Sequence, residues 1–270
     1  MEKELLDYKR VGFEAYGVKI CFETNDQGVF REIKRSLPGL FPGNFKDAGF
    51  CLCESVYRVR KNPRNLFELI VDGKLDSVSP ETLTLNRFLL TLIRLRVAER
   101  AVGRVFLHAG AVAWKGKGII IPAGSFRGKT TLVGALVKKG ALYFSDEFAV
   151  LDKNGRLHPF PKDLSIRSGG NQRETPVRDL GGRAGKRAVP VGFVLLTEYK
   201  KGGSGNLRQI TPGAGLLEVL SHTIPIRYNP EFTLEVLNKT LNRAIIAKSF
   251  RGEAEVFSER LLNFFEKHLI

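Results

Sequence analysis

The chain has 270 residues, 43% hydrophobic and 26% charged, a balance that excludes a disordered tail and, at roughly 150 residues per domain, predicts two units. Lysine and arginine number 43 against 28 acidic residues, a formal net charge of +15, so an anionic partner is expected and nucleic acid enters the candidates. No apolar run approaches the roughly 20 residues that span a bilayer, and Met1-Glu2-Lys3-Glu4 lacks the basic start and apolar centre of a signal peptide, so the expectation is a cytoplasmic protein without membrane contact.

Alternation in places between Val11 and Phe22, repeated over Gly49 to Val59 and Leu66 to Val71, predicts strands, and the first hundred residues read as a small α+β domain. Cys21, Cys51 and Cys53 cannot all pair and fall short of a zinc ligand set, so buried, reduced thiols are expected. Ser79-Pro80-Glu81 opens a helix with Ser79 as N-cap and Pro80 at the first position; Leu83, Leu85, Phe88, Leu89, Leu92, Ile93 and Val97 are assigned to one face. Its end at Gly103 is the expected boundary between a domain of residues 1–103 and one of residues 104–270.

The second half opens with two hairpin-like strands, Arg104 to Trp114 and Ile119 to Ile121, joined by a Lys-Gly-Lys-Gly turn. A glycine-containing loop follows, then a helix over Thr131 to Lys139 that stops at Gly140, then a strand over Leu142 to Leu151. Strand, loop, helix, strand is the α/β unit that a phosphate-binding loop requires. Residues 168–188 interleave Gly169, Gly170, Gly181, Gly182 and Gly185 with Arg173, Arg178, Arg183, Lys186 and Arg187, which predicts a mobile basic loop. Beyond it a strand is expected over Pro190 to Tyr199 and helices over Gly213 to Ser221, Phe232 to Ala247 and Ser258 to Leu269.

Ala123-Gly124-Ser125-Phe126-Arg127-Gly128-Lys129-Thr130 fits the Walker A pattern with Ala in place of the first Gly. Gly124 and Gly128 free the backbone to turn its N–H groups onto phosphate oxygens, and the helix that follows adds its positive end. Residues Gly124 to Thr131 are therefore the expected nucleotide contacts: Lys129 reaches the β and γ phosphates of ATP, and Thr130 offers a hydroxyl to Mg²⁺.

Asp146 and Glu147 are adjacent acids inside an otherwise apolar run, about 17 residues after Lys129. One serves as a metal ligand and the other as a base if the pair lies near the loop; a solvated strand end would account for a single acid. His108 on its own is equally a functional group and a core histidine with a satisfied ring.

His108-Ala109-Gly110-Ala111-Val112, the glycine loop through Thr131, Ser145-Asp146-Glu147 and Ser165-Ile166-Arg167 together resemble the catalytic domain of HPr kinase/phosphorylase-like serine kinases, whose core is similar to that of phosphoenolpyruvate carboxykinase. The resemblance covers about residues 104–265. It implies a P-loop kinase core in which Glu147 accepts the proton of a serine hydroxyl, His108 supports it, Asp146 holds Mg²⁺ with Thr130, and Arg167 stabilises the transferred charge. Shorter relatives of this kind resemble precursor-peptide kinases. The chain departs from the family at two places: Asp146-Glu147 stands where the family has two aspartates, and Ser165-Ile166-Arg167-Ser168 where it has Glu-Ile-Arg-Gly. The second change removes a metal ligand, so the resemblance does not carry over the reverse, phosphorylase reaction.

Three functions follow from these observations. The first is transfer of a phosphoryl group from ATP to a seryl or threonyl hydroxyl of a protein or peptide, an acidic one if the basic loop closes over it. The second keeps the kinase but makes the acceptor a small molecule, such as a free amino acid or a sugar alcohol. The third is a nucleotide-dependent binding protein or ATPase whose positive charge meets nucleic acid, against which stands the lack of an aromatic platform. A homo-oligomer stays open.

Overall fold

The computed structural model describes residues 8–49, 52–124, 128–168 and 171–268, with the backbone alone for 167, 168, 171 and 172. It is a mixed α/β structure with several sheets and six helices among the described residues, and it divides into two compact units, Met1–Val102 and Gly103–Ile270.

The first unit runs β1 (Lys9–Ala15), β2 (Val18–Thr24), α1 (Gln27–Leu40), β3 (Phe45–Asp47), β4 (Ser55–Lys61), β5 (Phe67–Val71), β6 (Lys74–Ser79) and α2 (Thr82–Arg100). The strands form one sheet in the order β3-β1-β2-β4-β5-β6. Val29, Ile33, Leu37 and Leu40 recur at helical spacing and bury one stripe of α1, whose N-cap Asp26 accepts from the Val29 N–H at 2.9 Å. The helix at 82–100 begins two residues later than the Ser79 N-cap reading, and Glu81 is the cap. Leu85, Leu89, Ile93 and Val97 face the core, whereas Leu83 and Phe88 are exposed, so the apolar stripe is narrower than the seven residues assigned to it. Cys21 and Cys53 are joined as a disulfide with Cα atoms 5.7 Å apart, which corrects the expectation of reduced thiols for these two. The fold brings them together because β2 and β4 are parallel neighbours with Ile20 opposite Ser55. Cys51 lies outside the described residues.

The second unit runs β7 (Arg104–Trp114), β8 (Lys117–Pro122), α3 (Lys129–Lys138), β9 (Leu142–Ser145), β10 (Phe148–Asp152), β11 (Arg156–His158), β12 (Leu164–Ser168), β13 (Asn171–Thr175), β14 (Val189–Tyr199), β15 (Arg208–Gln209), α4 (Pro212–Leu220), α5 (Pro230–Leu241), β16 (Ile245–Arg251) and α6 (Ala254–Lys267). Its main sheet has the order β11-β10-β7-β8-β14-β16-β15, with β9 also paired to β7, and β8, β14 and β16 run parallel. Successive residues of these three strands feed opposite faces, as strand geometry requires. Ile119, Ile121, Phe193, Leu195 and Ala247 pack under α3 and α6, while Ile120, Val194, Leu196 and Ile246 pack with Val219 of α4 and Val236 and Leu237 of α5. Burial on both faces is why the strands read as unbroken apolar runs.

Two expectations are corrected here. The helix read over Phe232 to Ala247 is α5 followed by β16, a strand inside the parallel part of the sheet. Residues 171–188 are not one loop: β13 pairs with β12, a 3₁₀ turn spans Val177–Leu180, and the backbone of Arg183 and Gly185 bonds to Tyr143 of β9. A Cβ on Gly185 would meet the Phe144 ring at 2.1 Å, so its glycine serves a close approach and not flexibility. Among the described residues no helix is long and apolar enough to cross a membrane.

Candidate active site

The loop between β8 and α3 lies at the C-terminal ends of the parallel strands, where open α/β sheets form their ligand crevice. Gly128 caps α3 in the left-handed conformation, φ 76° and ψ 24°, which only glycine adopts freely. Ser125, Phe126 and Arg127 lie outside the described residues; Gly124, Gly128, Lys129, Thr130 and Thr131 are in place, the Thr131 side chain exposed on the first turn.

Lys129 is 8% exposed, and its ammonium donates to the carbonyls of Ala123 at 2.6 Å and Gly124 at 3.1 Å. Two of its three protons are thus directed back at the loop, leaving a third for a ligand oxygen. Burial pulls its pKa down to about 8 against the attraction of Asp146 and Glu147.

Ser145 ends β9 and Phe148 begins β10, so Asp146 and Glu147 occupy a break where a single strand had been expected. Ser145 holds the break: its hydroxyl accepts from the N–H groups of Glu147 at 3.0 Å and Phe148 at 2.9 Å. The interruption releases the two acids from strict alternation between the faces of a strand.

Asp146 is buried and fixed from three sides. Its Oδ2 accepts from the Thr130 hydroxyl at 3.0 Å and from the Ser165 N–H at 3.1 Å, and Oδ1 lies 3.0 Å from the Tyr143 hydroxyl. That hydroxyl also lies 2.7 Å from the Lys162 carbonyl, and its pKa is driven upward, by burial first and then by the negative charge of Asp146. Glu147 is less enclosed, with its carboxylate 3.7 Å from the Lys162 ammonium. Asp146 is therefore held rigidly while Glu147 has access to solvent.

His108 sits on β7 opposite Phe148, its ring edge-on to that phenyl with centroids 6.3 Å apart. Burial, with Lys129 and His222 adding repulsion, lowers its pKa to about 4, so the imidazole is neutral at pH 7. Arg167 lies in β12 opposite Gln172, and its side chain is outside the described residues.

The structure thus gathers His108, Lys129, Thr130, Asp146 and Glu147 around the end of one helix, with Ser165 joined through its backbone. Sequence reasoning missed Tyr143, Lys162 and Arg251. Tyr143 and Lys162 belong to no motif; Tyr143 comes in on β9 and Lys162 on the coil before β12. Arg251 ends β16, 2% exposed, and its Nη2 donates to the Gly128 carbonyl at 2.9 Å. The sequence pattern hides it because the start of its strand fits the end of a helix equally well. Compared with models of known protein families and with curated protein sequences, the chain matches none.

Proposed function

We propose that the chain is an ATP-dependent kinase that transfers the γ-phosphoryl group to a Ser or Thr hydroxyl of a protein or peptide. The observation that carries this reading is the hydrogen bond from Thr130, the second residue of α3, to Asp146, with the Lys129 ammonium beside it. A hydroxyl and a carboxylate 3.0 Å apart at a helix N-terminus are hard oxygen donors. They fit Mg²⁺, which takes one or two carboxylates together with phosphate and water oxygens. When bound, Mg²⁺ neutralises charge on the phosphates during transfer.

The chain's own residues do the rest. Lys129 binds the β and γ phosphates with its free proton and with those it withdraws from the loop carbonyls. Thr130 and Asp146 hold the metal, and Tyr143 with the Ser165 N–H keeps the Asp146 carboxylate from turning. Glu147 takes the proton from the acceptor hydroxyl as its oxygen bonds to the γ phosphorus and the bond to the bridging oxygen breaks, releasing ADP. Neutral His108 places no further positive charge against Lys129.

The protein or peptide acceptor is supported by β13 and the segment after it. Arg173, Arg178, Arg183, Lys186 and Arg187 are exposed, and the same segment bonds through Arg183 and Gly185 to the backbone of Tyr143, whose hydroxyl holds Asp146. A basic surface therefore adjoins the site, as an acidic acceptor requires. The resemblance to HPr kinase-like serine kinases, and among them to precursor-peptide kinases, points the same way.

The test is incubation with γ-labelled ATP and a cell extract, followed by separation by size. Label in macromolecules, on serine or threonine, is the expected result. Label confined to metabolites replaces this reading with a small-molecule kinase, and free phosphate alone, stimulated by nucleic acid, replaces it with an ATPase.

A further inference from the structure

Arg251 is the most deeply buried arginine among the described residues of the second unit, and the way its charge is met is incomplete. Its Nη2 and Nη1 donate to the carbonyls of Gly128 at 2.9 Å and Gly252 at 3.0 Å, while its Nε is buried with no hydrogen-bond partner. Among the described residues no carboxylate is within ion-pair distance of it. Glu253 is drawn aside to the Tyr199 hydroxyl at 2.8 Å, and the Tyr199 ring lies 5.5 Å from the guanidinium carbon. Burial accordingly lowers the Arg251 pKa, with Glu253 and Tyr199 opposing it. A buried guanidinium answered only by two carbonyls and an aromatic face is expensive unless an anion completes it.

Its position says which anion. Arg251 reaches the carbonyl of the residue that caps α3, and a Cβ on Gly128 would come within 2.4 Å of Nη2, so the guanidinium lies against the phosphate loop itself. It comes from the C-terminal end of β16, one strand beyond β14 from the strand that delivers the loop. We infer that Arg251 is a second cationic arm of the site, donating to a phosphate oxygen of the bound nucleotide. The inference rests on the nucleotide reading above. Arginine suits the task better than lysine, since a planar fork can keep its carbonyl contacts and still present an N–H to a phosphate.

The alternative is that Arg251 merely clamps the Gly128 carbonyl, and the two roles separate experimentally. The full chain and its Arg251→Met, Arg251→Lys and Lys129→Met variants are melted alone and with inorganic tripolyphosphate, ATP, ADP or AMP. Arg251→Met is expected to keep or raise the unliganded midpoint, because an uncompensated buried charge is gone. It is expected to bind tripolyphosphate roughly 10- to 100-fold more weakly, the scale of a hydrogen bond to a charged group, with the deficit shrinking from ATP to AMP. Arg251→Lys, which keeps the charge, should fall between. An Arg251→Met chain that melts lower alone yet binds tripolyphosphate as the unaltered chain does overturns the inference, as does Arg251→Lys at full affinity if the methionine variant does not fold. If Lys129→Met loses binding and both Arg251 variants keep it, this inference fails alone. If the unaltered chain answers to none of the four ligands, the nucleotide reading fails and takes the inference with it.

Discussion

Asp146 and Glu147 are neighbours in sequence with opposite surroundings, and in the proposed mechanism their environments divide the work. Asp146 has both oxygens committed to Thr130, Ser165 and Tyr143, so it cannot swing toward an incoming hydroxyl, whereas Glu147 is partly open, 3.7 Å from the Lys162 ammonium. Glu147→Gln should lose on the order of 10²-fold or more in turnover with nucleotide affinity nearly unchanged, the scale of general base catalysis. Asp146→Asn should instead shift the Mg²⁺ titration to higher concentration; steady-state kinetics at varied ATP and Mg²⁺ separate the two, and interchanged phenotypes would exchange the roles. Lys129 supplies a pH signature. Its pKa of about 8 in the folded chain lies below the ordinary 10.5, so the unfolded chain keeps the proton between those values and folding stability from this group rises across that window. Nucleotide affinity moves the other way, falling above about pH 8 as the ammonium is lost, and binding titrations from pH 7 to 9.5 should show this in the unaltered chain and not in Lys129→Arg. The candidate-site residues that the sequence made legible are those whose proposed chemistry needs fixed spacing along the chain, Gly128-Lys129-Thr130 and the paired acids. Tyr143 and Arg251 reach the site through strand pairing and Lys162 on the coil before β12, neither of which spacing encodes.

At the scale of elements, long periodic segments were legible and short apolar ones were not. Leu85, Leu89, Ile93 and Val97 gave α2 its inward face, but Ile245-Ile246-Ala247 fits a helix or a strand equally by pattern, and the sheet decides for β16. The glycines after β13 misled in the opposite direction, since composition suggested freedom where Gly182 and Gly185 exist to let backbone approach Val137 and Phe144. Gly185→Ala should therefore lower stability by about 1–3 kcal/mol, the usual cost of overpacking, measured as a shift in denaturant midpoint at unchanged slope; a neutral substitution would restore the picture of a free loop. The Cys21–Cys53 link was illegible because three cysteines admit several pairings. Non-reducing peptide mapping should recover it. Cys53→Ser should cost about 2–4 kcal/mol, given the 32-residue separation; free thiols at both positions and an unshifted melt would contradict the link.

Over the whole molecule, the +15 charge promised an anionic partner without saying which. In the proposed reading the second unit offers two places for negative charge: the buried Lys129 with Arg251 beside the start of α3, and the exposed Arg173, Arg178, Arg183, Lys186 and Arg187. A kinase needs both, one for the donor's phosphates and one for an acidic acceptor, while a nucleic-acid protein needs only the second. The measurement that separates them is single-turnover transfer from γ-labelled ATP, with the unaltered chain and Lys129→Ala compared side by side on the same macromolecular fraction. Label on serine or threonine is expected with the unaltered chain and none above background with Lys129→Ala. Equal transfer by the two chains, or label released by the unaltered chain only as free phosphate, would contradict it.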